Sequence, residues 1–151
     1  MIRVQEEDFD VGKELVELRT GNTAIGGIAL FVGTVRGAAD GKAVGAMTLE
    51  HYPAMTAREL ERIEAEAQRR WALEETLIIH RVGRLEPGEQ IVLVITSSAH
   101  RQAAFDACEF LMDWLKTKAP FWKREEIPEG ERWVEARTSD DAAAARWSRE
   151  D

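Results

Sequence analysis

Residues 97–125 read SSAHRQAAFDACEFLMDWLKTKAPFWKRE, and the rest of the chain is predicted to fold around this stretch. Its middle predicts a helix, because apolar residues recur there at helical spacing. These residues are Ala103, Ala104, Phe105, Ala107, Cys108, Phe110, Leu111, Trp114 and Leu115. Ser97 and Ser98 are candidate N-caps. Pro120 ends the helix, since the residue before a proline avoids the helical region, and residues 121–125 predict a strand.

Basic residues lie at both ends of this predicted helix. His100 and Arg101 fall in its first turn, where the helix dipole disfavours cations unless an anion is bound. Lys116 and Lys118 fall in its last turn, where cations are favoured. The protein as a whole is acidic, with a formal net charge of −8. The pattern therefore indicates a local binding site for an anion.

Bulk composition predicts a single domain, residues 1–151, of an ordinary cytoplasmic protein. A length of 151 residues suits one domain with its own core. No apolar run approaches the ~20 residues that span a bilayer, and no secretory signal pattern opens the chain. The single cysteine, Cys108, rules out an internal disulfide and fits a reducing compartment. The net negative charge disfavours general binding to nucleic acid, so we expect neither a membrane nor a nucleic-acid partner.

Alternating helix and strand patterns predict the element order α-β-β-α-β-β-α-β-β, with a further helix in the tail. The predicted strands are residues 25–36, 44–51, 76–82, 91–96, 121–125 and 133–136, and residues 36–42 predict a loop. Thr56 and Glu59 predict a capping box for the second helix. Glu86-Pro87-Gly88-Glu89 predicts a type II turn. The fold class is α+β: helices covering one side of a mainly antiparallel sheet, with a small additional β subdomain.

Metal and covalent chemistry find little support in the sequence. His51, His80 and His100 are far apart, and no His or Cys pair has the spacing of metal ligands. We therefore expect no metal and no cofactor, and a structural role for the first two histidines. Cys108 lies among apolar residues in mid-helix, which indicates a buried, inert thiol. Gly26-Gly27 precedes a strand and not a helix, so it lacks the context of a dinucleotide-binding motif.

The remaining candidate site is a set of basic residues interleaved with aromatic ones. Its members are Arg36, His100, Arg101, Lys116, Lys123 and Arg124. Each could be an ordinary surface charge, and Lys116 could simply pair with Asp113 one turn earlier. Lysines held near other cations have lowered pKa values and can act as general bases or nucleophiles, while Phe121 and Trp122 could wall their pocket. The residues alone thus predict an enzyme or a binder for a small polyanion, with lysine the leading catalytic residue type.

The same residues resemble a known family. The segments FVGTVRG, LEHYPAM, IIHRVGRLEPGE, SSAHRQAAF, LKTKAPFWKRE and WVEAR…RW are similar to the large, catalytic subunit of molybdopterin synthase, across residues 25–147. Two departures are visible. Ala54 stands where many relatives have glycine, and Thr34 where some have lysine.

The resemblance implies a reaction and its partners. It implies an α/β hammerhead-like fold and a sulfurtransferase that makes the dithiolene of molybdopterin from cyclic pyranopterin monophosphate, also called precursor Z. Sulfur would arrive as a thiocarboxylate on the C-terminal Gly-Gly tail of a small ubiquitin-like sulfur-carrier subunit. Two large subunits would form a homodimer at the core of a heterotetramer, with part of each site supplied by the neighbouring copy.

The resemblance also implies roles for individual residues. Lys116 and Lys123 match lysines tied to catalysis and to the partner's tail, and Arg36, His100 and Arg101 match residues that hold the pterin phosphate. Further matches to pocket positions are Thr34, Val35, Arg124 and Glu125. An exposed apolar strand near HYPAM or IIHRVG could supply the dimer contact. The alternative is a non-catalytic regulatory module that binds a small anion, in which both lysines would be dispensable for turnover.

Overall fold

The computed structural model describes residues 1–39, 41–134 and 138–148. Four α-helices and a 3₁₀ turn (Arg146–Ser148) are present in this part of the chain: α1 (Val11–Arg19), α2 (Pro53–Arg70), α3 (Arg101–Thr117) and α4 (Thr138–Ala145). The strands are β1 (Ile2–Gln5), β2 (Gly27–Thr34), β3 (Ala38–Ala39), β4 (Lys42–Ala43), β5 (Met47–His51), β6 (Thr76–Arg81), β7 (Gly83–Leu85), β8 (Gln90–Ser98), β9 (Phe121–Ile127) and β10 (Gly130–Trp133). Of the predicted strand 133–136, residues 135 and 136 lie outside the described ranges.

Two four-stranded sheets form the framework of the fold. The first has the order β1-β6-β8-β2, in which only the β1–β6 pair is parallel. The second has the order β10-β9-β5-β7 and is antiparallel throughout. Strands β3 and β4 pair with each other within the segment expected to be a loop. The α+β prediction, with a mainly antiparallel sheet and an additional smaller β unit, is therefore confirmed.

Helices cover both faces of the first sheet, whereas the sequence interpretation placed them on one side. Ile78 and Val94 pack with α2 and α3 on one face, while Ile79 and Leu93 pack with the apolar side of α1 on the other. Adjacent residues of a strand point to opposite faces. Because β6 and β8 are apolar at consecutive positions, both faces need a cover.

Helix α3 does not begin with the serine caps predicted for it. Ser97 and Ser98 are the last residues of β8, and their hydroxyls donate to the carbonyl oxygens of Glu75 (2.9 Å) and Ala72 (2.7 Å). His100 occupies the N-cap position without a side-chain cap hydrogen bond. The hydroxyls thus tie β8 to the segment between α2 and β6, and the first turn of α3 keeps its N–H groups free of a side-chain cap.

Helix α2 starts one turn earlier than the predicted capping box. Pro53 is its first residue, a position where the missing N–H costs nothing because no partner exists there. Thr56 is fully buried inside the helix, and its hydroxyl lies 3.1 Å from Nδ1 of His51. The capping-box prediction was therefore wrong.

The glycine pair before β2 allows the start of α3 to approach closely. A Cβ on Gly26 would lie 2.1 Å from the carbonyl oxygen of Ala99, and one on Gly27 would lie 3.2 Å from Cα of Arg101. Only glycine fits the first position without a shift of backbone. The pair thus sets where the N-terminus of α3 sits, beside the first residues of β2.

The end of the described chain returns over α3. Nε1 of Trp147 donates to the carboxylate of Asp113 at 2.7 Å, and the Trp147 ring packs edge-on against Trp71 and Phe110. Within the described ranges, no helix is both long enough and apolar enough to cross a membrane.

Candidate active site

A cavity of about 60 Å³ lies where the end of α3 meets β6, β8 and β9. Its walls are mostly apolar, with three basic side chains among them. The lining residues are His80, Ile91, Val92, Met112, Leu115, Lys116, Ala119, Phe121 and Lys123. Lys116 reaches it from the last turn of α3, and Lys123 from the strand that follows Pro120. The end of the helix before Ala119-Pro120 therefore lets both lysines line one cavity.

Lys123 is the lysine whose proton affinity the site changes most clearly. Burial, together with the positive charge of Lys116, lowers the pKa of its amine to about 8, whereas Asp140 of α4 opposes the shift. A lysine in water titrates near 10.4, so this amine loses its proton far more readily. Desolvation and a like charge are the two causes that prepare a lysine for acid–base or nucleophilic work.

His80 is a site residue that the sequence interpretation missed. Its ring is buried and stacks on the Phe121 ring, with 3.9 Å between centroids and 16° between planes. Its Nδ1 lies 2.8 Å from the carbonyl oxygen of Arg81. Burial lowers the pKa of His80 to about 4, helped by the charges of Lys123 and Lys116 and opposed by the Arg81 carbonyl. The signal in the sequence was a histidine that directly follows the apolar run Leu77–Ile79.

Strand β9 divides the predicted site residues between two faces. Phe121, Lys123 and Glu125 share the face toward the cavity, because strand residues two apart point the same way. Trp122 points the other way, is exposed and packs edge-on against Tyr52. Trp122 was expected to wall the lysine pocket, and it does not.

Glu125 and Arg124 are both held in ion pairs. Glu125 is buried, and its carboxylate accepts two hydrogen bonds from Arg132 of β10, at 3.1 and 3.2 Å. Arg124, on the opposite face of β9, pairs with Glu50 and Glu131. Its guanidinium also lies over the Trp133 ring, 5.4 Å from the centroid. Arg124 is therefore engaged on the face turned away from the cavity.

Thr34, Val35 and Arg36 follow each other at the end of β2, on the same side of the molecule as the cavity. Thr34 pairs with Gln90, the neighbour of the lining residue Ile91. Val35 is buried in an apolar cluster, and its N–H donates to the carbonyl of Glu89 at 2.9 Å. Arg36 is exposed. Thr34 and Arg36 can thus contribute to a site near the cavity, while the Val35 side chain belongs to the core.

His100 and Arg101 lie at the opposite end of α3 from the lysines. Arg101 begins this helix and Lys116 lies in its last turn, which puts them about 22 Å apart at the rise of an α-helix. Because β8 and β2 run antiparallel, the start of α3 adjoins Gly27, while Arg36 follows the other end of β2. One copy of the chain therefore does not bring Arg36 together with His100 and Arg101.

Asp113 and Cys108 do not line the lysine cavity. Asp113, considered as a partner for Lys116, instead accepts hydrogen bonds from Arg146 and Trp147. Cys108 is buried, and burial raises the pKa of its thiol to about 11, so it stays protonated at neutral pH. Among the described residues, no group of three or more His, Cys, Asp or Glu side chains is placed to hold a metal ion.

Known proteins share this sequence and fold. The family model described as MoaE protein matches residues 4–118. The molybdopterin synthase catalytic subunit of Pseudomonas aeruginosa is 60% identical over 146 residues, covering 97% of each chain. The solved structure of a molybdopterin biosynthesis MoaE protein from Burkholderia ambifaria is 56% identical, with a TM-score of 0.84 over 99% of each chain.

A more distant structure shows that the fold extends to dissimilar sequences. It is a complex of subunits 1 and 2 of the molybdopterin-converting factor from Helicobacter pylori, 20% identical, with a TM-score of 0.73 over 90% of this chain and 91% of that one. The matches at high identity span nearly the whole chain. The chain therefore belongs to the MoaE protein family, the catalytic subunits of molybdopterin synthase, which are enzymes of molybdenum cofactor biosynthesis.

Proposed function

We propose that this chain transfers sulfur from the C-terminal thiocarboxylate of a small ubiquitin-like partner to precursor Z, forming the dithiolene of molybdopterin. The observation that carries the proposal is the cavity shared by Lys116 and Lys123, in which the pKa of Lys123 is lowered to about 8. Sulfur would come from the partner, so the reaction needs no cysteine nucleophile from this chain. This agrees with the buried, protonated thiol of Cys108.

The two lysines have distinct roles in this proposal. With a pKa of about 8, Lys123 is neutral in a fraction of molecules at neutral pH and can accept or deliver a proton as the thiocarboxylate attacks. Lys116, which is exposed, stabilises the negative charge of the partner's tail and of the reaction intermediate. In a second route through the same cavity, the neutral lysine amine attacks the carbonyl carbon of the thiocarboxylate, so that an amide bond to the terminal glycine forms, the C–S bond breaks and the sulfur leaves as sulfide toward the substrate.

The cavity suits the tail of such a partner. A volume of about 60 Å³, with apolar walls from Met112, Leu115 and Phe121, admits a narrow extended segment. Two terminal glycines have no side chains that would clash with the cavity walls. Their thiocarboxylate carries a negative charge, which the lysines attract. The complex of two subunits known for the Helicobacter pylori protein supports a small partner here as well.

We propose a homodimer at the core of the assembly, because one copy separates the phosphate-binding residues. Strand β2 is an edge of the first sheet, with Leu30 40% and Phe31 42% exposed. An edge strand offers unpaired N–H and C=O groups to a second chain. Of the two segments expected to supply the contact, IIHRVG fits less well, because β6, which carries IIHR, is an inner strand and buried throughout. HYPAM keeps exposed apolar side chains at Tyr52 and Met55.

Antiparallel pairing of two β2 strands would complete the site. In a two-fold arrangement, the end of β2 in one copy meets the start of β2 in the other. Arg36 of one copy would then approach His100 and Arg101 of the second copy, which adjoin Gly27. The phosphate would be held by Arg36 from one side and by the uncapped N-terminus of α3 from the other.

Reconstitution from purified components tests the activity. The chain would be incubated with precursor Z and a partner carrying a C-terminal thiocarboxylate, and molybdopterin would be assayed. The matched control uses the same partner with an ordinary carboxylate, which has no sulfur to give. Absence of product from the folded chain and the thiocarboxylated partner would refute the assignment.

We propose that the reaction takes place in the cytoplasm, where thiols stay reduced.

A further inference from the structure

In the buried imidazole of His80, one nitrogen forms a hydrogen bond with the main chain and the other is free to accept one. A carbonyl oxygen can only accept a hydrogen bond, so the 2.8 Å contact with Arg81 requires a proton on Nδ1. The ring is neutral at neutral pH, because burial and two nearby lysine charges oppose a second proton. Nε2 therefore carries a lone pair and acts only as an acceptor. Among the described residues, none forms a hydrogen bond with it in this conformation.

The position of the ring directs this acceptor to the lysine cavity. Nε2 is the ring nitrogen farther from the main chain, and His80 lines the cavity together with both lysines. The ring is fixed on one side by its stack on Phe121, whose side chain shares a face of β9 with Lys123. Of the two lysine charges that act on the ring, the larger effect comes from Lys123. The long lysine side chain can bring its amine to Nε2 by rotation about its own bonds.

We propose that His80 is a positioning residue for the reaction: when the Lys123 side chain rotates toward it, Nε2 accepts a hydrogen bond from Nζ of Lys123 and holds that amine in the cavity. The Arg81 carbonyl fixes the tautomer, and the Phe121 ring fixes the plane. An apolar side chain would fill this buried position in the sheet equally well, but it would offer the amine no acceptor. The catalytic consequence rests on the proposed function, whereas the hydrogen bond itself does not.

Within the described part of the chain, charged or titratable groups face Lys123 or its acceptor from four neighbouring elements. They are Lys116 of α3, Asp140 of α4, His80 of β6 and, beyond the Phe121 ring, His51 of β5. A neutral hydrogen-bond acceptor stabilises the protonated form of the Lys123 amine more than the deprotonated form. Loss of this acceptor should therefore lower the pKa of Lys123 further. A loosened, hydrated cavity would have the opposite effect, because water relieves the desolvation that now lowers this pKa.

The test is the titration of Lys123 in the full chain without substrate or partner. Protein labelled with ¹³C-lysine would be followed by NMR through the Cε resonance of Lys123, identified by its disappearance in Lys123→Arg. We expect the pKa to fall by about one unit in His80→Phe, which keeps a ring for the stack but has no acceptor. His80→Gln, whose side-chain oxygen can stand near the place of Nε2, should restore most of the original pKa.

The result separates three outcomes. A lowered pKa in His80→Phe with recovery in His80→Gln supports the hydrogen bond. An unchanged or raised pKa in a folded His80→Phe protein overturns it, and His80→Leu provides the same comparison if the Phe variant does not fold. A supported hydrogen bond together with no molybdopterin from the wild-type reconstitution would leave this inference intact and refute the proposed function. If both hold, kcat should fall roughly 10- to 100-fold in His80→Phe with little change in KM.

Discussion

Lys116 and Lys123 face the same small cavity from different elements, and the charge of Lys116 helps to lower the pKa of Lys123. The relationship depends on the break at Pro120, because a helix continued through residue 123 would carry the second lysine further along its axis. Instead the chain turns back as β9, beside β5. Two amines that repel each other in a desolvated pocket form an arrangement that is costly for stability and useful for chemistry.

Removal of either lysine amine should abolish most of the activity. Lys116→Ala and Lys123→Ala should each reduce turnover at least ~100-fold, the scale of lost acid–base catalysis. Lys123→Arg should not restore it fully, since a guanidinium stays charged and cannot act as a base. Single-turnover conversion with a thiocarboxylated partner measures the effect.

The control for the lysine variants is Cys108→Ala, which removes a buried thiol outside the proposed chemistry and should keep turnover with at most a modest loss of stability. Circular dichroism would establish that each variant is folded. Near-normal rates in both alanine variants would remove the lysines from the mechanism and direct attention to His100.

Arg101 should contribute to substrate affinity and not to the fold. Its exposed guanidinium lies in the first turn of α3, so Arg101→Ala should weaken binding of precursor Z by roughly 1–3 kcal/mol, the range for a charge-assisted hydrogen bond. Isothermal titration calorimetry measures the change. Arg58→Ala, which removes another exposed arginine from α2, is the matched control and should bind normally. Equal affinity of the Arg101→Ala and wild-type proteins would exclude the phosphate role.

The chain should be a dimer in which each site uses both copies. Light scattering at micromolar concentration should give the dimer mass, and Phe31→Glu on the β2 edge should shift it toward the monomer. Val16→Glu, at an exposed apolar residue of α1, should not. A wild-type monomer would refute the shared site.

Mixed dimers provide a second measurement of site sharing. If Arg36 and Arg101 come from different copies, mixing Arg36→Ala and Arg101→Ala chains, at a precursor Z concentration too low to saturate either variant alone, should recover about a quarter of the wild-type activity, since half of the dimers keep one intact site out of two. No recovery in dimers shown to have exchanged subunits would place both residues of each site in one chain.

Protonation of His80 should make the fold less stable in mild acid. The unfolded chain takes up this proton near pH 6.5, but the folded chain does so only near pH 4, because the ring is buried beside two lysines. The unfolded state therefore binds more protons in this window, and the free energy of unfolding should fall as the pH drops from about 6.5 to about 4.

Urea unfolding at pH 7 and pH 4.5 measures this contribution. The wild type should lose about 2–3 kcal/mol more than His80→Phe between these two values, as follows from the shift of the pKa. His100→Gln, which removes a histidine from the surface, is the control for loss of one imidazole. The same pH dependence in His80→Phe and wild type would show that the ring is not the group responsible.

Local patterns in the chain predicted the parts of the fold that depend on near neighbours. The turn at residues 86–89 is as expected, with Gly88 at φ +91° and the N–H of Glu89 bonded to the carbonyl of Glu86. The predicted helix caps were wrong where the hydroxyl found a partner far away in the sequence. The hydroxyls of Ser97 and Ser98 donate to the segment before β6, and Thr56 is buried against His51. Sequence spacing does not reveal such partners.

The amino-acid sequence by itself determined the α+β class, the apolar face of α3 and the end of this helix before Pro120. These follow from periodicity and proline geometry, which act over a few residues. Only the tertiary structure decided that His80 joins the lysines, that Trp122 and Arg124 face away from them, and that Arg36 lies far from Arg101. These outcomes depend on strand pairing and on which strand face meets which helix, and those contacts join residues far apart in the chain.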